Sequence, residues 1–239
     1  MDGRTWPLAA VLIGVLPLLV ARATGGAWHQ LASGLLLFPL FLAAVRSDRT
    51  VRGLAIVGLC FASHNAVAIG LAAQTAEVAG LFPDGADYWA KQQIWITTGT
   101  DPEYQVINWL PAHLQLFAGI ILYCFLSLGM VAFIQGFYEV DLMNFYVGRL
   151  IASSDSLAPA LLLGWHPWSA LRGLCYLLLT WEVASWSLAR MTGRTISTPE
   201  RRLLRWLAAV GFFAADCVVK LAMLEPVRRT LADNLTAPL

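Results

Sequence analysis

Residues 136–165 read GFYEVDLMNFYVGRLIASSDSLAPALLLGW, and on them turns how many times the chain crosses a bilayer. The first half, 136–148, is aromatic and acidic, as a helix lying at a membrane interface would be. The second half is a short apolar run with Pro159, which suits a re-entrant or broken segment. An extra crossing is therefore expected within this stretch, over residues 142–164.

The surrounding chain makes a membrane the right frame. Of its 239 residues, 58% are apolar and 13% charged, with a mean hydropathy of +0.64. Soluble domains carry roughly a quarter charged residues. Six apolar stretches, 6–21, 30–45, 52–73, 109–135, 168–189 and 203–224, approach the roughly 20 residues that span a hydrocarbon core. The fold class expected is an all-α polytopic transmembrane helix bundle of six spans plus a re-entrant or seventh segment. It forms one integral membrane domain over 1–239, with an outer loop at 74–108 and an irregular elbow at 136–167. Arg4, the apolar run and Ala21-Arg22-Ala23 also resemble a secretory signal; a retained first helix is the expectation here.

Orientation follows from the Lys/Arg bias of short loops. Arg46, Arg49 and Arg52 mark a cytoplasmic connection, and the acids Glu77, Asp84, Asp87, Asp101 and Glu103 suit an outer loop, so the N-terminus is cytoplasmic. The connection carrying Arg190, Arg194, Arg201, Arg202 and Arg205 is the strongest cytoplasmic signal, yet alternation of six spans puts it outside. The extra crossing resolves that conflict. A plasma membrane or bacterial inner membrane is the expected location.

Composition and motifs narrow the function classes. A net charge of +1 without a basic cluster gives no nucleic-acid partner. The four cysteines, Cys60, Cys124, Cys175 and Cys217, lie apart in apolar stretches and read as buried hydrophobes. No phosphate-loop, dinucleotide, zinc-protease or nucleophile-elbow motif occurs. His64 and His113 differ in expected depth by roughly 7 Å, too much for one haem iron between them. No metal and no cofactor are expected.

Ionisable residues within apolar stretches are the functional pointers, since a mid-bilayer charge costs several kcal/mol. These are His64, Glu182, Asp216 and Lys220. Asp216 and Lys220, four apart, share a helix face. With both arginine-rich loops cytoplasmic, His64 and Asp216 each lie about 18–20 Å deep, so they are candidates for a pair. Gly58, Ala62, Ala66 and Gly70 form a small-residue stripe suited to close helix packing, with Asn65 beside it. Around the elbow, Glu139, Asp141, Asp155, His166 and Arg172 are interfacial candidates for headgroup chemistry.

The leading expectation is a non-enzymatic membrane subunit that packs with partner membrane proteins or with itself. A proton- or ion-coupled small-solute transporter using the buried residues is the alternative, and a lipid-headgroup enzyme at the elbow comes third.

Overall fold

A computed structural model describes residues 5–74, 76–100 and 106–236, apart from the side chains of residues 76 and 77. Arg4, Asp101 and Glu103 lie outside the described residues, as does the side chain of Glu77. The described chain is all-helical and has no strand. Its helices are α1 (Trp6–Thr24), α2 (His29–Arg46), α3 (Thr50–Gln74), α4 (Gly85–Thr98), α5 (Val106–Ser127), α6 (Met130–Ala152), α7 (Leu157–Gly164), α8 (Pro167–Thr192) and α9 (Pro199–Ala232). A 3-10 turn, Ala76–Leu81, precedes α4. Five helices, α1, α2, α3, α5 and α9, are long and apolar enough to cross a membrane.

The expected single span 109–135 is two helices. Leu128 and Gly129 both take positive φ, at 56° and 97°, and reverse the chain between α5 and α6. Glycine adopts this conformation readily. Ser127 secures the corner: its hydroxyl donates to the Tyr123 carbonyl at 2.6 Å and accepts from the Val131 amide at 3.1 Å.

The stretch 142–164, where the extra crossing was expected, falls across the end of α6 and the whole of α7. The long helix here is α6, with 23 residues and a length of about 34 Å. The eight-residue α7 measures only about 12 Å. Residues 136–148 belong to α6 rather than to a separate irregular segment. Phe133, Phe137, Asp141, Asn144, Phe145 and Gly148 are buried at helical spacing, so α6 is a core helix with an acid on its buried stripe.

Two layers of packing result. Helix α6 contacts α2, α3, α4, α5 and α7, while α8 packs on α9, α5 and α2. Close approach of α6 to α3 depends on Gly148, where an added Cβ would stand 2.8 Å from the Ile69 carbonyl oxygen. The small-residue stripe is not used inside the chain. Gly58, Ala62 and Ala66 are exposed, and a Cβ on Gly58 or Gly70 would meet nothing within 4 Å. Packing within the bundle uses the neighbouring face of α3, with Gly53, Cys60, His64 and Ala68.

Contacts sort the helix ends into two groups. At one end Asp48, between α2 and α3, meets Ser197, Arg201 and Arg205 at 3.2, 2.8 and 3.3 Å. Arg52 lies 5.9 Å from the Trp6 ring centroid at the same end. At the other end Ser154 pairs with Leu235, and Arg228 donates to the Ile96 carbonyl at 3.0 Å. Both arginine-rich connections thus share an end. Ser154 and Thr195 belong to opposite ends, which a thiol-labelling experiment checks. With the four native cysteines replaced, an impermeant reagent applied to intact cells is expected to modify only one of Ser154→Cys and Thr195→Cys. Labelling of both from the same side contradicts this arrangement.

Candidate functional site

Asp141 stands eleven residues from each end of α6, at the midpoint of the helix. Its carboxylate collects side chains from two other helices. Oδ1 lies 2.7 Å from His64 Nε2 on α3, and Oδ2 lies 2.8 Å from His29 Nε2 at the start of α2. The Gln30 amide also donates to Oδ2 at 2.8 Å. His29 and His64 are 0% exposed and Asp141 1%. The chain presents His29 and Gln30 here because Gly25 and Gly26, both at positive φ, turn it between α1 and α2. His64 arrives on the buried face of α3.

Helix α1 completes the centre through its backbone. The Gly14 carbonyl oxygen lies 3.1 Å from His64 Nδ1. Gly14 itself is required, because a Cβ there would collide with the Cys60 carbonyl and the Ser63 hydroxyl. A carbonyl only accepts, so Nδ1 carries the proton of this hydrogen bond. A neutral imidazole has no second N–H, and its Nε2 would then turn a lone pair toward the Asp141 carboxylate. Two acceptors at 2.7 Å repel unless a cation lies between them. That cation is either a proton, carried by His64 as an imidazolium or by Asp141 as a neutral acid that donates to Nε2, or a metal ion bound to both atoms. His29 Nδ1 is buried and has no hydrogen-bond partner among the described residues. Such a group marks a site whose partners are incomplete.

Aromatic rings enclose the centre. His29 and His64 stack at 5.9 Å between centroids, Phe82 meets His29 edge-on at 6.3 Å, and Phe137 meets His64 edge-on at 5.0 Å. One turn further along α6, Asn144 donates to Asn65 at 2.9 Å and accepts from Trp165 Nε1 at 3.2 Å. Asn65 therefore does bond across to a neighbouring helix.

The other intramembrane candidates are held elsewhere. Asp216 is gripped by Arg172 through two bonds of 3.0 and 3.2 Å, so the His64–Asp216 pair is not formed and each acid has its own partner. Lys220 Nζ lies 4.8 Å from the Trp109 ring centroid. Glu182 accepts from Arg202 at 2.5 Å and from Arg205 at 2.9 Å. Among the elbow residues, Asp141 enters the centre, while Glu139 accepts from Gln135 at 2.7 Å. His166 is packed among Tyr146, Trp95 and Trp168, and Asp155 is exposed. Glu139 also lies within electrostatic reach of Arg172, the partner of Asp216.

His29, Gln30 and Gly14 escaped the sequence reading. Its second apolar stretch began at Gln30, one residue past the histidine. The one signal available was the pair Gly25-Gly26, which marks a turn tight enough to return His29 to the bundle. The expectation of no metal also needs revisiting, since ligand atoms of His29, His64 and Asp141 all lie within 4.8 Å of one another.

Comparisons with protein-family models, with curated proteins and with solved structures find no match to this chain. Fold and site together define an all-helical membrane protein with a buried histidine and carboxylate centre.

The arginine network is open to a stability test. Arg205, 7% exposed, serves Glu182, Asp48 and Ser197, whereas Arg201, 64% exposed, serves Asp48. Arg205→Ala is expected to cost about 3 kcal/mol, the low end for a broken buried pair because Arg202 stays on Glu182. Arg201→Ala should cost less than about 1 kcal/mol. Denaturant unfolding of the purified protein in detergent ranks the two, and equal losses would contradict this assignment.

Proposed function

We propose that this protein is an integral membrane carrier of seven helical crossings whose His29–His64–Asp141 centre binds the cation it moves. The reading rests on His64, set between the Gly14 carbonyl and the Asp141 carboxylate, an arrangement that needs a proton shared by the two side chains or a metal ion bound by both. The burial of Asp141 supports it, since an ionisable group enclosed in a membrane bundle persists where it has a partner or a role.

The seven crossings are α1, α2, α3, α5, α6, α8 and α9. This count brings Arg46, Arg49 and Arg52 to the same side as Arg190, Arg194, Arg201, Arg202 and Arg205, and the bias of short loops then favours a cytoplasmic location for that side and the N-terminus. Glu139, Asp155 and His166 have different neighbours, which favours the carrier over headgroup chemistry at the elbow. The outward stripe Gly58, Ala62, Ala66 and Gly70 favours association with another membrane helix, from a copy or a partner, beside the carrier role.

Liposomes containing the purified protein test this reading with gradients of H⁺, Na⁺, Ca²⁺ and Co²⁺ imposed one at a time and followed by entrapped indicators. At least one cation is expected to equilibrate faster than in empty liposomes. Asp141→Asn should slow that flux about tenfold or more, while Arg201→Ala leaves it unchanged. If none of the four moves faster with the protein present, the carrier reading is wrong.

A further inference from the structure

We infer that the cation held by this centre is a divalent transition-metal ion, bound by ring nitrogens of His29 and His64 and by a carboxylate oxygen of Asp141. The inference rests on the reading of the centre as a cation site. Its chemistry selects the ion. Na⁺, Mg²⁺ and Ca²⁺ are hard ions that seek shells of oxygen, whereas two imidazoles with one carboxylate suit Zn²⁺, Co²⁺, Ni²⁺, Fe²⁺ or Cu²⁺. All three residues are buried, and their ligand atoms lie within 4.8 Å of one another.

The groups behind the three ligands fit the same assignment. A ligating histidine commonly donates its other ring N–H to a backbone carbonyl or a carboxylate, which fixes its tautomer and aims the lone pair at the metal. His64 does this through Nδ1 and Gly14. A ligating carboxylate is in turn held by a hydrogen bond, as Gln30 holds Asp141. The unpartnered Nδ1 of His29 leaves a donor or acceptor capacity at the centre that hydrogen bonding has not used. The shell beyond is apolar, with Phe82 and Phe137 against the rings, which excludes competing water.

Binding also has a geometric consequence. Ligand atoms at about 2.0–2.1 Å from one ion stand roughly 2.9–3.3 Å apart. The His–Asp contacts of 2.7 and 2.8 Å would therefore open slightly. The two histidines, on α2 and α3, would be tied to a single point beside α6. Metal binding should accordingly raise the unfolding temperature by adding a cross-link among three helices.

The test uses the full-length protein in detergent, stripped with a chelator and titrated with Co²⁺, whose visible absorption reports its coordination. One equivalent is expected to give a saturable spectrum of a nitrogen-ligated ion and to raise the unfolding temperature. His64→Ala and Asp141→Asn should abolish both effects, and Gln30→Ala should weaken binding about 10–100-fold. X-ray absorption of the wild-type complex should show nitrogen donors at about 2.0–2.1 Å, a readout that stands even if a variant fails to fold. A spectrum of the hydrated ion alone, an all-oxygen shell, or binding that survives both substitutions overturns the inference. Asp141-dependent flux of H⁺ or Na⁺ without Co²⁺ binding overturns the metal and leaves the carrier. Co²⁺ binding without flux of any cation overturns the carrier and leaves the metal centre.

Discussion

Asp141 places a carboxylate at the midpoint of α6, and burying it demands donors from other helices at the same level. His29 and Gln30 answer from the start of α2, and His64 answers from α3. Each answer fixes more than a contact. The α2 donors require the chain to reverse directly before them, as Gly25 and Gly26 allow. The α3 donor sets the rotation of that helix and turns its small-residue stripe outward. The Gly14 carbonyl then brings α1 into the same layer. Apolar side chains gain little by leaving lipid for one another, so packing alone specifies helix rotation weakly in a membrane. Here one polar group sets the register of four helices.

A second system of charges fastens the other half of the bundle. Arg172 holds Asp216 between α8 and α9, and Arg205 joins Glu182 of α8 to Asp48 at the α2–α3 connection. The latter bonds tie the α8–α9 pair to the layer around α6. They also explain how so many arginines gather at one end without mutual repulsion dominating: Asp48 and Glu182 sit among them. Arg201, Arg202 and Arg205 thus both add to the positive charge of that end and make the ion pairs that close it.

Composition and apolar length were enough to read an all-helical membrane protein, and the structure adds a long helix, α6, that the apolar stretches had not separated. It was not legible because α6 carries Glu139, Asp141 and Arg149 in its middle and last turn, where they dilute the apolar signal. The burial of Phe133, Phe137, Asp141, Asn144 and Gly148 at helical spacing was present in the sequence, but it was masked by reading acids as surface. His64 was legible as a buried ionisable residue, while its partner was not. Depth arithmetic could match levels but could not say which helices are neighbours, and so it favoured Asp216, which lies on α9. His29 was missed because its significance depends on a reversal rather than on a span.

The two polar systems differ in a way that separates support from function. An arginine is always charged and donates only, so Arg172 on Asp216, and Arg202 with Arg205 on Glu182, satisfy their acids without any further species. Such pairs are complete when the chain has folded. A histidine offers a lone pair as readily as a proton, and His64 is placed so that its two nitrogens face two acceptors. Folding alone leaves that arrangement in need of a proton or a metal ion between His64 and Asp141. A donor-only, permanently charged arginine offers no such lone pair, so histidine is the side chain that leaves this centre open to exchange.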